Sequence, residues 1–392
     1  MNMMTNLRAP RRVVLYSHDT LGFGHLRRNL MLAARLKEMT PAPEVLLIAG
    51  TSEAGAFALP EGVDLITLPA YAKQSCGTYV ARRLSMDLTE LRDIRAGIIK
   101  AAVKQIRPDL FIADNVPLGA QNELEPALRW LARRPGTTRV LGLRDVLDDR
   151  QSVRKQWLRD RNVEAVNAFY TDVWVYGDPR VHDPVAESGL SGAIRARVAH
   201  TGYLLRPMPT VSVPASSPYV LCTVGGGRDG AALLEAFVAA PLPEGLRAVV
   251  VTGSQLDEAQ RSRIEGLAAA RPDIEIRHFV PDLMPLLAGA ERIVTMGGYN
   301  TVCEVLRLGK PALVVPRVMP RREQLVRAER FAALGLLDVL HPDDLTPSAL
   351  GDWLSGPARP PAKGRLDTDG LDRFAALVAV ALGQTARITL AA

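Results

Sequence analysis

Short apolar runs alternate with stretches of helical periodicity along most of this chain. The runs at 13–16, 45–48, 64–67, 110–113, 139–143 and 173–176 read as strands. Residues 26–38 and 88–106 read as helices between them. In the second helix Leu91, Ile94, Ile98, Ala101 and Ala102 fall on one face. Continuous apolar strands separated by helices predict a parallel sheet covered on both sides. The pattern breaks at 206–218, which holds four prolines in thirteen positions; proline at that density blocks helix and sheet interiors. It then restarts, with strands at 219–224, 248–251, 274–279 and 292–295. A second Pro-rich patch at 357–361 precedes a last helix at 371–382. The expected layout is an α/β fold of two doubly wound, Rossmann-like domains with a cleft between them. Residues 1–205 and 219–365 are the domains, 206–218 the linker, and 366–392 holds the last helix.

In open α/β sheets, ligands bind beyond the carboxyl ends of the strands. The first strand runs into Ser17-His-Asp-Thr-Leu-Gly-Phe-Gly-His-Leu-Arg-Arg28. Its glycines let the backbone, Gly24 included, approach a ligand closely. The dinucleotide pattern GxGxxG is not met, because Arg27 stands where the third glycine belongs. His25 falls in the first turn of a helix, where the dipole favours a neutral ring able to act as general base. Asp19 and Arg28 flank it. Asp114-Asn115 and Arg144-Asp145 end strands that face the same cleft. Asp114 is placed either to orient His25 or to serve as the base itself. Asp19, Arg28, Asn115, Arg144 and Asp145 are candidates for the acceptor, against turn-forming and capping roles.

The second half repeats this logic. Gly225-Gly226-Gly227-Arg228 follows a strand and suits a nest of amides around a diphosphate, with Arg228 as an added donor. Gly297 and Gly298 turn the chain again, and Asn300 and Thr301 open a helix whose free N–H groups favour phosphate. Glu304, on that helix, is placed to accept both hydroxyl hydrogens of a ribose. Glu323 and Gln324 begin a later helix within reach of sugar hydroxyls. Phe279 and Val280 end a strand where a flat base edge fits, and Arg317 is a further cation for phosphate. Diphosphate, ribose and sugar contacts in this order point to a nucleotide sugar.

Composition narrows the classes. Of 392 residues 47% are hydrophobic and 23% charged, an ordinary globular balance. The net charge of +6 is carried mostly by Arg. No basic run interleaves with aromatics, so nucleic acid is not an expected partner. The three cysteines, Cys76, Cys222 and Cys303, lack ligand spacing, which argues against a disulfide framework or a zinc site and fits a cytoplasmic setting. No apolar stretch reaches the length of a transmembrane helix, which leaves peripheral contact at the inner face of the membrane open.

The segment Gly297-Gly298, Thr301, Glu304, Gly309-Lys-Pro311, Pro316, Glu323-Gln324 resembles the donor-binding domain of GT-B glycosyltransferases related to the lipid II-forming N-acetylglucosaminyltransferase. The loop Gly22-x-Gly24-His25-x-x-Arg28 looks instead like that of UDP-sugar hydrolases of nonulosonic acid synthesis. The whole chain is similar to a group of bacterial glycosyltransferases with an Asp-Thr-Leu-Gly-x-Gly-His loop. The resemblance implies a GT-B fold, an acceptor-binding first domain, a UDP-sugar-binding second one and a C-terminal helix, 366–392, packing back on the first domain. Glu304 would bind ribose, Gln324 the sugar, and the segment around Phe279 and Val280 the uracil. The expected activity is inverting, metal-independent transfer of a sugar, N-acetylhexosamine first, from a UDP-sugar to a hydroxyl acceptor. That acceptor is a glycan, a lipid-linked intermediate or a small metabolite, and no cofactor is expected beyond the donor. The alternatives are a UDP-sugar hydrolase, a nucleotide-sugar 2-epimerase and a non-enzymatic nucleotide-sugar-binding scaffold.

Overall fold

The computed structural model describes residues 10–19, 22–73, 78–190, 192–208, 218–362, 364 and 366–384. The expected linker therefore lies, from 209 to 217, outside the described residues, as do Cys76 and the end of the chain beyond 384.

Apolar runs become buried strands because both faces of each sheet are covered. The first domain holds β1 (Arg12–Ser17), β2 (Glu44–Ala49) and β3 (Val63–Thr67). A small hairpin of β4 (Tyr71–Lys73) and β5 (Tyr79–Ala81) follows, then β6 (Leu110–Asp114), β7 (Thr138–Arg144), β8 (Asp172–Tyr176) and β9 (Val198–His200). Leaving the antiparallel hairpin aside, these form a parallel sheet in the order β3-β2-β1-β6-β7-β8-β9. The second domain holds β10 (Tyr219–Thr223), β11 (Arg247–Val251), β12 (Ile274–Arg277), β13 (Arg292–Thr295), β14 (Ala312–Val314) and β15 (Asp338–Val339). Its parallel sheet runs β12-β11-β10-β13-β14-β15. In each sheet the winding reverses beside the first strand, so β1 lies between β2 and β6, and β10 between β11 and β13. Each reversal opens a crevice at the strand ends.

The helix Leu88–Ile106 begins with a capping box: the Asp87 carboxylate accepts from the Thr89 and Glu90 amides, and Glu90 reaches back to the Asp87 amide. Its buried face differs from the expected one. Leu91, Arg95, Ala96, Ile99 and Val103 are buried, while Ile94 is 41% exposed and Ala101 is exposed. The stripe rotates because Arg95 is drawn inside by Glu123, with Nη2 to Oε1 at 2.7 Å. Tyr16 and Tyr71 donate their hydroxyls to the same carboxylate at 2.5 and 3.1 Å. A buried charge needs such full pairing.

The two domains are tied by polar contacts rather than by apolar packing alone. Arg327 of the helix Glu323–Ala333 meets Asp145, just past β7, at 2.7 Å, and both side chains are 1% exposed. Tyr203 donates to the same carboxylate at 3.3 Å. Arg144 pairs with Glu323 at 2.8 Å, and the Arg322 amide donates to Asp148 at 2.8 Å. The last helix, Gly370–Ala381, lies on the first domain, with Phe374 edge-on to Trp174 at 5.8 Å between ring centres and Asp372 paired with Arg35 at 3.0 Å. Among the described residues no helix is long and apolar enough to cross a membrane.

Removing one partner from a buried ion pair costs about 3–5 kcal/mol, because the other charge is left unpaired in a dry site. Asp145→Ala is therefore expected to lower the melting temperature and to broaden or split the unfolding transition in scanning calorimetry. A melting profile identical to wild type would remove this pair from the domain junction.

Candidate functional site

The loop after β1 is bent by Gly22, whose φ of +73° favours glycine. A Cβ at Gly50, after β2, would overlap the His18 carbonyl, so the loop rests directly on the neighbouring strand end. The helix Gly24–Lys37 follows, without a side-chain cap from its N-cap residue. Asp19 instead accepts the Leu26 amide at 3.0 Å.

Because β6 is the hydrogen-bonded neighbour of β1, its last residue, Asp114, arrives beneath the first turn of that helix. Its Oδ2 lies 2.6 Å from His25 Nδ1. Arg28 donates to both carboxylate oxygens, at 2.8 and 2.5 Å through Nη2, and again through Nε at 3.1 Å. An ionised carboxylate only accepts, so Nδ1 carries the proton and Nε2 is left as the basic nitrogen. Arg28 Nη2 sits 3.0 Å from Nδ1; in that tautomer both are donors, and the contact is not a hydrogen bond. Nε2 makes no hydrogen bond among the described residues, and His25 lines the interdomain cavity. Burial pushes the Asp114 carboxyl up, but Arg28 and then His25 more than offset it and hold it well below the ordinary carboxylate range. His18 lies 4.3 Å from His25 between ring centres. Burial, then the neighbouring His25, pushes the His18 pKa well down, so that ring is neutral.

Across the cleft, Gly225 and Gly227 take φ of +67° and +96° after β10. After β13, Gly297 (φ +75°) leaves no room for a side chain, since a Cβ would stand 2.6 Å from Val314. The helix Tyr299–Leu308 starts at Gly298 with no side-chain cap. Its unsatisfied amides and positive dipole end open into the cleft. A cavity of about 230 Å³ joins the two crevices, with Gly24, His25, Arg144, Gly226, Gly298, Asn300, Thr301 and Gln324 among its walls. A larger one, of about 990 Å³, shares Arg27, Phe279 and Asn300 with it and is lined in part by Glu304. Burial pushes the Glu304 carboxyl up, and Arg206, 3.4 Å away, then Arg27 offset this only in part, so it stays raised.

Several expected contacts are spent elsewhere. Asp145 is fully buried on Arg327, not open to an acceptor. Asp19 is used as a helix cap. Arg28 is 1% exposed, with its guanidinium held by Asp114 and lying 5.7 and 5.4 Å from the ring centres of Tyr176 and Tyr299. Asn115 takes a left-handed turn (φ +65°), and its side chain accepts the Arg144 amide at 3.5 Å. Glu323 faces Arg144 and Arg317 and does not line either cavity. Arg317 pairs with Asp229 at 2.9 Å, while its amide donates to Gln324 Oε1 at 2.8 Å. Arg228 is exposed outside both cavities, Val280 packs on the core, and Gly227 and Gly297 shape turns without lining them. The structure adds Phe23, Arg27, Ser254, Tyr299 and Arg206 to the walls. Ser254 follows a glycine past the end of β11, so the strand-end rule would have found it. Arg206 was hidden inside the proline-rich stretch.

The family description "Glycosyltransferase family 28 C-terminal domain" matches residues 221–361. The UDP-N-acetylglucosamine--N-acetylmuramyl-(pentapeptide) pyrophosphoryl-undecaprenol N-acetylglucosamine transferase of Methylobacterium nodulans is 31% identical over 215 residues, 48% of this chain and 57% of that one. The chain thus spans little more than half the length of that relative. The enzyme of the same name from Solidesulfovibrio magneticus is 24% identical over 365 residues, 87% of this chain and 89% of that one. The calicheamicin glycosyltransferase CalG4 superposes with a TM-score of 0.58 at 17% identity, covering 97% of this chain and all of its own. At that identity the likeness concerns the fold alone, and it agrees with the parallel sheets: the fold is α/β of the GT-B type.

The depressed Asp114 pKa has a sign. Its ionised form stabilises the folded state above the ordinary Asp pKa of about 3.9, and that contribution is lost as pH falls toward the folded value. Between about pH 4 and pH 2, wild type is expected to lose stability more steeply than Asp114→Asn in denaturant titrations. Parallel pH slopes would contradict the ion-paired state of Asp114.

Proposed function

We propose that the protein is an inverting, metal-independent glycosyltransferase that moves a sugar, N-acetylhexosamine first, from a UDP-sugar to a hydroxyl acceptor. One observation carries this reading: the His25–Asp114 pair faces the uncapped start of the helix Tyr299–Leu308 across the cleft. A general base thus stands opposite a site built for a leaving diphosphate. The family match over residues 221–361 supports the donor half.

The step is a single displacement. His25 Nε2 takes the proton of the acceptor hydroxyl as its oxygen bonds to the anomeric carbon. The bond from that carbon to the diphosphate oxygen breaks on the opposite face, and its electron pair leaves with UDP. Configuration inverts. The amides after Gly298 and in the Gly225–Gly226 turn meet the charge that develops on the leaving group. Asp114 keeps the imidazole in the productive tautomer and stabilises the imidazolium. Asp114 is a poor base itself, being buried, ion-paired and strongly acidic. Ribose hydroxyls would meet Glu304, the base would lie against Phe279, and Gln324 would reach the sugar.

The named relatives act on a pyrophosphoryl-undecaprenol, so a lipid-linked acceptor at the cytoplasmic face of the membrane is the first to try. The loop resemblance to UDP-sugar hydrolases keeps water as a second nucleophile for the same base. UDP release from UDP-N-acetylglucosamine, with and without bacterial lipid extract, separates the readings. Release that needs the extract supports transfer, and release without it supports hydrolysis. An isomerised UDP-sugar with no release would overturn both in favour of epimerisation.

His25→Ala is expected to lower turnover by a factor of about 10² to 10⁴ while UDP affinity stays near wild type. Glu304→Ala is expected to weaken UDP binding roughly 10- to 100-fold in calorimetry, the loss of hydrogen bonds to a charged group. Wild-type turnover in the first variant would remove His25 as the base, and unchanged affinity in the second would remove Glu304 from the ribose.

A further inference from the structure

Three arginines line the smaller cavity: Arg27, Arg28 and Arg144. Two are committed to carboxylates, Arg28 to Asp114 and Arg144 to Glu323. Arg27 is not. Among the described residues it forms no ion pair, and its side chain donates from Nη2 to the Pro281 carbonyl of the other domain at 3.2 Å. The guanidinium lies 5.9 Å from the centre of the Phe57 ring. A guanidinium carries five N–H donors in a planar fork, so most of its donor capacity remains for a ligand. Burial lowers its pKa, and Glu304 and Asp282 only partly restore it. It is a half-desolvated cation short of a strong acceptor.

Its position is as informative as its charge. Arg27 belongs to the walls of both cavities, with His25 in the smaller and Glu304 in the larger. In a nucleotide sugar the diphosphate is the segment that joins the ribose to the sugar. A donor with its ribose at Glu304 and its sugar before His25 must pass its diphosphate by Arg27. Arg228 and Arg317, the cations that sequence position suggested for this role, line neither cavity.

We propose that Arg27 binds the donor's diphosphate from the first domain, opposite the amides that hold it from the second. The inference rests on the nucleotide-sugar reading above. Donor binding would then bridge the domains through charge-assisted hydrogen bonds, which Arg forms well with phosphate. It would add to the direct contacts that already cross the cleft, such as Asn300 to the Gly24 carbonyl at 3.0 Å.

The test is calorimetric titration of wild type, Arg27→Ala, Arg27→Lys and Glu304→Ala with UDP and with uridine. Arg27→Ala is expected to lose roughly 10- to 100-fold in UDP affinity and to keep uridine affinity within about twofold. Arg27→Lys should recover part of the loss, and the salt dependence of UDP binding should weaken in Arg27→Ala. A merely structural role would move both ligands together, so an equal loss for uridine overturns the proposal. Wild-type UDP affinity in Arg27→Ala also overturns it, while leaving the nucleotide-sugar reading intact if Glu304→Ala still loses affinity. Failure of wild type to bind UDP, or an unaffected Glu304→Ala, overturns that reading and this inference with it.

Discussion

The Asp114 carboxylate ends β6 almost fully buried and holds two groups at once, His25 Nδ1 at 2.6 Å and the Arg28 guanidinium. A lone carboxylate in so dry a place would be costly, so Arg28 is a condition of the arrangement. Arg28 in turn lies over Tyr176 of the first domain and Tyr299 of the second. The orientation of the histidine is thereby linked to the docking of the domains. A ring fixed at Nδ1 presents Nε2, which is the property a general base in this cleft requires.

This geometry follows from topology. Both sheets reverse their winding beside the first strand, and the two reversals face each other. Each contributes a glycine turn and a helix start, so a single cavity receives two positive dipole ends together with a histidine. The strand-end polar residues divide their labour. Asp114 serves the site, whereas Asp145, one strand over, is spent on Arg327 and locks the domains. Arg144 and Glu323 neutralise each other across the same junction. A ligand polar enough to engage either one competes with that pair.

The strands and the glycine turns were legible because they depend on local pattern: continuous apolar runs, then residues that tolerate positive φ. The GT-B arrangement follows from two such patterns in tandem. Gly24, Gly226, Gly298, Asn300, Thr301, Glu304 and Gln324, expected from the sequence to meet a donor, do gather at the cavities, since strand-end position is itself a sequence property. What sequence could not show was the partner of each charge. Arg28 finds Asp114 across 86 residues and Arg327 finds Asp145 across 182. Arg95 lies inside a helix stripe where apolar counting allows no charge. The sequence left Asp19, Asn115 and Asp145 between acceptor contact and turn or capping roles; in the structure Asp19 caps a helix, Asn115 turns the chain and Asp145 is paired with Arg327. Arg27 and Arg28 are adjacent in sequence, and only the helical rotation between the two decides which one meets the carboxylate and which is left unpaired at the cavities.

The most direct test of the central claim is a crystal structure of the protein with UDP bound. The ribose hydroxyls are expected on Glu304, and the diphosphate between the Gly225–Gly226 turn and the first amides of the helix Tyr299–Leu308. His25 Nε2 would point toward the terminal phosphate. UDP bound away from this cleft, or bound in it with no contact to Glu304 or to those amides, would contradict it.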